Sequence, residues 1–441
     1  MTSVTVGIDI GTTSVKAIAA DDDGTVVARA RVPHALHIPT PTRMQHDANE
    51  VWRDGPQQAL QALGSLDIAA VSVAAMVPSL TAVDANGRAL LPGLLYGDDR
   101  GGSAMSGNPA ESGELIRFAE WCTRERPDAA GLWPAPAVAN HALMGDGVLD
   151  TMTAATASPL FDWNTGAWSE TVASAHGLDV AKLPRIVPAG WKAGRMGGDG
   201  PIVAAGAVDA FAEQLVAGAD NDGDVLVILG TTLIVWCVSD SFDAPPGWYS
   251  VPHSAPGKFL VGGPSNAGGL FCNWAQSLLA DGPPPTDPER IPVWLPYPRG
   301  ERAPYDDSTK RAALFGLDLL HSPGAARRAV WEASGFVARR TIEASGVAAQ
   351  RIVATGGGTR VDEWVQALAD CTGLPVDCVE VPEGGAYGSA FLARCAARLE
   401  DNMTDARRWA RTGRRVEPRA VWARAAADRF SRFIAGSDGF A

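Results

Sequence analysis

Asp9-Ile10-Gly11-Thr12-Thr13-Ser14-Val15-Lys16 is the stretch on which the reading of this chain turns. It joins an alternating apolar run (Val4, Val6, Ile8, Ile10) to a second one, Val15 to Ala20, and so reads as a turn between strands. Gly11 lets the backbone turn tightly and approach an anion. Consecutive N–H groups and the hydroxyls of Thr12, Thr13 and Ser14 can cradle phosphate oxygens. Asp9, closing the first strand, suits Mg²⁺, which prefers carboxylate and water oxygens. Taken alone, an ordinary hairpin with a polar turn reads the same way. The tripeptide recurs, however, at Gly230-Thr231-Thr232 after the apolar run Val225 to Leu229. Two such hairpins half a chain apart imply a duplicated architecture whose polar turns grip one polyphosphate, and hence phosphoryl transfer.

Working outward, Asp21-Asp22-Asp23-Gly24 is a turn and Thr25 to Arg31 alternate again, which completes a three-stranded antiparallel meander. Asn49 to Leu63 reads as a helix with Val51, Trp52, Ala59, Leu60 and Leu63 inward. Ile68 to Ala75 and Leu80 to Val83 read as strands. Residues 101–150 are rich in Gly, Ala and Pro and predict short helices and loops. Val208 to Ala217 predicts a helix, Ala325 to Ser345 another, Ile352 to Ala354 a strand, and Ala386 to Leu399 a helix rich in small residues. The polar string Asp220-Asn221-Asp222-Gly223-Asp224 sets a domain boundary, giving domains 1–219 and 220–441.

Length supports that division, because 441 residues exceed one ordinary core and fit two domains of roughly 200 residues. A net charge of −13 opposes binding to nucleic acid or an anionic membrane, so an anionic nucleotide must be held locally. The six cysteines form no C-x-x-C pair and read as reduced thiols of a cytoplasmic protein. The N-terminus enters a strand directly, without a signal peptide, and no apolar run approaches the ~20 residues of a membrane span.

Other motifs admit two readings each. Asp209 opens a small-residue helix after Gly206-Ala207-Val208, as an N-cap or as a base. Gly356-Gly357-Gly358 lies between a strand and a helix, where backbone can lie flat against a base or ribose. Tyr96-Gly97-Asp98-Asp99-Arg100 is a charged loop or part of a site. His46-Asp47 reads as a turn or helix start, and the arginines from Arg407 to Arg424 as a solvated helical face. A P-loop is absent.

In order along the chain, these motifs resemble those of the FGGY carbohydrate kinases, within the actin/hexokinase/Hsp70-like ATPase superfamily. Asp9 to Ser14 and Gly230-Thr231-Thr232 look like the two phosphate motifs. Gln45-His46-Asp47 through Trp52 resembles E-x-D-P-x-x-W-W, and Tyr96 to Arg100 resembles W-x-D-x-R. Gly206 to Asp209 is similar to G-x-x-D. Gly300 to Pro304 with Arg311 to Leu317 resembles G-E-R-x-P … R-G-x-F-G-L, and Gly356 to Arg360 resembles G-G-G-x-R. The resemblance implies an α/β fold, with two RNase-H-like domains of mixed sheet flanked by helices and hinged around a deep cleft. It assigns Asp209 as general base and places Asp9 and Asp209 in the Mg²⁺ environment. ATP would be held by Gly11, Thr12, Thr13, Ser14, Gly230, Thr231, Thr232, Ala312, Gly357 and Gly358. The sugar wall would comprise Met76, Val77, Pro78, Tyr96, Asp98 and Arg100.

The chain departs from the family at that wall. Met76-Val77-Pro78 stands where xylulokinases carry Gln-Met-His and glycerol kinases an Arg-Glu pair, Tyr96 replaces a tryptophan, and Ala312 a glycine. Residues 101–150, which in relatives help cover the sugar and form dimer contacts, look shortened, so assembly as a homodimer stays open. The leading expectation is ATP-dependent phosphorylation of a small sugar or polyol, first a ketopentose such as D-xylulose. Another sugar, a sugar acid, or a non-catalytic sugar or nucleotide sensor on the same fold remains an alternative. An Hsp70-like chaperone would need a further peptide-binding domain.

Overall fold

The computed structural model describes residues 3–102 and 113–439. Its chain forms two compact units, Met1–Val216 with Glu383–Trp409, and Ala217–Pro382 with Ala410–Ala441. The first unit is therefore not a contiguous half, as a single boundary at 219/220 would make it. It takes back a segment from far down the chain.

In the first unit, strands β1 (Val4–Ile10), β2 (Ser14–Ala20) and β3 (Val26–Pro33) form the expected antiparallel meander, with Asp9 opposite Lys16. Strand β4 (Ile68–Ala75) runs parallel to β1. Strands β5 (Ile202–Ala204) and β6 (Ala207–Val208) each run parallel to β4. The alternation in β1 suggests one wet face, yet every residue of β1 is buried. Val6, Ile8 and Ile10 join a core with Val51, Trp52, Ala59 and Leu60. Those residues come from a π-helical turn, Asn49–Asp54, that runs into the helix Gly55–Ala62, where one regular helix was predicted.

On the other face lies the Gly384–Ala396 helix. A Cβ at Gly7 would stand 1.8 Å from the Ala386 carbonyl oxygen and 2.3 Å from the Ala390 nitrogen, so this strand and helix touch backbone to backbone. Gly388 plays the same part against the Asp209–Ala217 helix, where a Cβ would lie 1.8 Å from the Ala212 oxygen. The segment is also bolted to the Asp21–Gly24 turn. The Tyr387 hydroxyl donates to the Gly24 carbonyl at 2.6 Å, and Arg394 Nη1 donates to Asp22 Oδ1 at 2.7 Å. Within 101–150, residues 103–112 lie outside the described residues. The remainder holds a twelve-residue amphipathic helix, Glu114–Glu125, rather than only short pieces, because Leu115, Ile116, Phe118, Ala119 and Cys122 make one apolar stripe.

The second unit repeats the plan. A hairpin of β7 (Asp224–Leu229) and β8 (Leu233–Ser239) is followed by antiparallel β9 (Phe259–Ser265), then β10 (Arg351–Thr355) parallel to β7 and β11 (Val376–Val379) parallel to β10. Strand order β9-β8-β7-β10-β11 thus reproduces β3-β2-β1-β4-β5. Three helices pack together here: Pro323–Ser345, Asp362–Thr372 and Ala420–Gly439. Buried Glu332 receives Arg328 and Arg429, while buried Asp370 receives Arg328 and Arg419. Arg419 belongs to the arginine run read as a solvated face. Its half-exposed side chain ends on Asp370, and its guanidinium and that of Arg328 both lie over the Trp422 ring. All six cysteines are free thiols. Among the described residues no helix is long and apolar enough to cross a membrane.

Gly7→Ala forces a methyl into backbone atoms that cannot rotate away. It is expected to cost at least about 3 kcal/mol, read as a lowered thermal midpoint. An unchanged midpoint would show that the Gly384–Ala396 helix is not tightly seated on β1.

Candidate active site

The register of the first sheet gathers the predicted residues. Asp9 pairs with Ala74 and Ala74 with Ala207, while Ile10 pairs with Ala75 and Ala75 with Val208. Gly11, Met76 and Asp209 are therefore the first residues beyond three adjacent parallel strands, all at the same end. With strands about 4.8 Å apart, β1 and β6 stand about 10 Å apart. Carboxyl ends of parallel strands are where open α/β sheets bind ligands. Gly206 makes this possible: its φ is +109°, and a Cβ there would lie 2.6 Å from the Val73 oxygen.

Asp9 is buried, and its Oδ2 accepts from Lys16 Nζ at 3.0 Å. The Asp9 charge raises the Lys16 pKa against the lowering effect of burial, with smaller help from Glu213 and Glu383. Gly385 brings the first turn of the Gly384–Ala396 helix to the same carboxylate, a Cβ there falling 3.1 Å from Asp9 Cγ. A carboxylate so placed suits Mg²⁺ held mainly by water and phosphate, with its Oδ2 shared with Lys16. Among the described residues no group of three or more His, Cys, Asp or Glu side chains is set to hold a metal by itself. Asp209 is half-buried and its Oδ1 accepts from the Ala210 N–H at 2.7 Å.

The turn Gly11–Ser14 is closed by Gly11 N–H on the Ser14 carbonyl at 3.1 Å. Thr12 and Ser14 are buried and Thr13 is exposed. Thr12 Oγ1 meets the Tyr96 hydroxyl at 3.0 Å, and the Thr12 carbonyl lies 2.9 Å from His46 Nε2. Behind it, Trp52 Nε1 donates to His46 Nδ1 at 3.1 Å. The sequence reads His46 as a turn or helix start within the segment that resembles E-x-D-P-x-x-W-W, and assigns it no role at the site. Its role shows once strand pairing brings Gln45-His46 beside Gly93-Leu94, although the six-residue step from His46 to Trp52 was a visible signal.

Met76 is buried, and Val77 and Pro78 are half-buried. Tyr96 and Pro78 flank the Leu95–Ser79 pair at one end of a small antiparallel sheet. Asp98 and Arg100 are buried against each other: Arg100 Nη2 reaches Asp98 Oδ2 at 2.7 Å and Gln45 Oε1 at 2.7 Å, and Asp98 also accepts the Met44 N–H. The face shown by Met76, Val77 and Pro78 is thus apolar, and the charged pair beside it is satisfied internally.

In the second unit, the Gly230 and Thr231 carbonyls accept from Gly269 and Leu270 at 2.8 and 3.1 Å, so a helix N-terminus holds this turn. Thr232 is half-buried beside it. Gly357 opens onto free space, whereas a Cβ at Gly358 would strike Trp364 at 2.5 Å. Ala312 is half-buried, just before the Ala313–Phe315 strand. Glu301 is buried and accepts from Ser265 Oγ and from the Asn266 and Arg302 N–H groups; burial pushes its pKa up.

Two outcomes follow from this polar packing. Burial pulls the His46 pKa from its usual 6.5 to about 4, and lowers that of neighbouring His34 as well. The folded state keeps these rings neutral while the unfolded chain takes up protons. Stability should be full above pH 6.5 and fall as pH drops toward about 4, with a slope approaching about 1.4 kcal/mol per unit for His46. Denaturant titrations of the wild type and His46→Gln check this, the variant having the shallower slope. Asp98→Ala strands the Arg100 guanidinium and should cost about 3–5 kcal/mol in the same assay.

Comparison with known proteins fits this geometry. The chain is 27% identical over 450 residues to the xylulose kinase of Escherichia coli (strain K12), with 91% of each chain covered. To the gluconokinase of Bacillus licheniformis it is 24% identical, covering 91% of this chain and 89% of that one. Its fold matches the ligand-bound xylulose kinase of Lactobacillus acidophilus with a TM-score of 0.82 at 22% identity, over 99% of this chain and 98% of that one. Residues 4–111 match the N-terminal domain, and residues 255–397 the C-terminal domain, of the FGGY family of carbohydrate kinases. With both domain families matched in order over more than half its length, this chain belongs to the FGGY carbohydrate kinases, phosphotransferases that act on sugars.

Proposed function

We propose that this sugar kinase transfers the terminal phosphoryl group of ATP to a hydroxyl of a ketopentose, with D-xylulose as first choice and Asp209 as general base. FGGY kinases use ATP as phosphate donor. The observation that carries the reading is the shared end of β1, β4 and β6, from which the Asp9–Ser14 turn, Met76 and Asp209 emerge side by side. The similarity to xylulose kinases over nine-tenths of the chain supports the substrate, and the similarity to a gluconokinase keeps a sugar acid as the competing acceptor.

In this proposal Asp209 orients the acceptor hydroxyl and takes its proton late, as a loose transition state requires of a weak base. Thr13 and the turn backbone hold donor phosphate, as do Gly230, Thr231 and Thr232 of the second hairpin. Gly357 lies flat against the adenosine, Gly358 keeps the loop against Trp364, and Ala312 stands where the family motif carries a glycine near the nucleotide. Bound Mg²⁺ would neutralise phosphate charge, with Asp9 and Asp209 as its protein carboxylates. Lys16 keeps Asp9 aimed along the strand end. Met76, Val77 and Pro78 limit the acceptor by shape, and Asp98 with Arg100 braces the Tyr96 loop that frames it.

Purified protein with Mg-ATP is to be screened against ketoses, aldoses, polyols and sugar acids by ADP release. D-xylulose should give the highest kcat/KM, and Asp209→Asn should lower kcat by about 10²–10⁴ without lowering the thermal midpoint. Turnover of gluconate above D-xylulose would reassign the acceptor. An undiminished rate in Asp209→Asn would remove the base.

A further inference from the structure

The polar chain behind the first Gly-Thr-Thr turn has only one consistent arrangement of protons. An indole N–H can only donate, so His46 Nδ1, 3.1 Å from Trp52 Nε1, must present a lone pair. A carbonyl can only accept, so His46 Nε2, 2.9 Å from the Thr12 oxygen, must carry the proton. All three groups are buried, and nothing in that arrangement admits a charged imidazole. The Thr12–Thr13 peptide is planar, so its N–H points opposite to its C=O. Holding the Thr12 carbonyl inward on His46 therefore turns the Thr13 N–H outward, to the side where Thr13 is exposed.

We propose that His46 is a positioning residue for the nucleotide, which fixes the Thr12–Thr13 peptide so that the Thr13 N–H faces the donor phosphates. This rests on the reading of that turn as a phosphate site. Trp52 is the second member of the device, since it fixes the ring's proton on Nε2. Among the described residues no helix N-terminus takes the carbonyls of the first turn as Gly269 and Leu270 take those of Gly230 and Thr231; His46 holds that of Thr12, and the His34 N–H holds that of Thr13 at 3.1 Å.

The requirement is a side chain that accepts on one side and donates on the other, which neutral histidine and glutamine both satisfy and leucine does not. The test is calorimetric titration of the full-length protein with Mg-ATP in the absence of sugar. His46→Leu should weaken binding about tenfold, the worth of one hydrogen bond plus a stranded carbonyl. His46→Gln should stay within about twofold of wild type, and a purely space-filling role would not separate the two. Trp52→Phe keeps the bulk and removes only the N–H; it should weaken binding about threefold, and it carries the test if His46→Leu fails to fold. Wild-type affinity in His46→Leu or Trp52→Phe, or a Gln variant as weak as Leu, overturns the proposal. Thr13→Pro deletes the N–H itself and separates the two layers. If it alone weakens Mg-ATP, the turn binds phosphate without the help of His46; if it too binds like wild type, the phosphate reading of the turn is what fails.

Discussion

The absence of a side chain at position 7 is the constraint on which the first unit rests. It lets the Gly384–Ala396 helix lie on β1 at a separation where any Cβ would collide with the Ala386 carbonyl. That contact completes the burial of β1 on its second face, and it delivers Gly385 to the Asp9 carboxylate. Because interiors are packed at crystal-like density, one methyl group here would displace a whole helix rather than dent it. The same helix meets the Asp209–Ala217 helix through Gly388. One small-residue surface therefore supports both Asp9 and the helix that begins at Asp209.

Around the first turn, stability comes from satisfied polarity instead of apolar bulk. Trp52, His46, Thr12 and Tyr96 form one line of hydrogen bonds, and Gln45, Arg100, Asp98 and Met44 form another beside it. Buried polar groups of this kind tolerate few arrangements, since each unmet donor or acceptor costs about 1–3 kcal/mol. They define a single geometry for the turn. The face of Met76, Val77 and Pro78 has no such polar equipment.

The two turns share Gly-Thr-Thr but differ in length and in support: Ile10 faces Val15 across four residues, whereas Leu229 faces Leu233 across three. Side chains from distant strands hold Gly11–Ser14, whereas backbone N–H groups of the next helix hold Gly230–Thr232. The strand order around them is the same in both units, which is the mark of the duplicated plan. Identical local sequence thus specified the hairpin, and context specified what keeps it rigid.

The amino-acid sequence by itself determined the two hairpins, the existence of strands β4 and β10 though not their pairing with β1 and β7, and the candidate residues at the turns. Local pattern suffices there, because alternation and turn chemistry act over a few residues. Tertiary structure alone decided that residues 383–409 complete the first unit, because packing through Gly7 and Gly388 links positions hundreds of residues apart. It also decided that Asp98, Arg100 and Thr12 make hydrogen bonds within the protein, and that His46 stands behind the turn. A hydrogen bond is made by proximity in space, and a linear pattern records which groups exist without recording which of them are already satisfied.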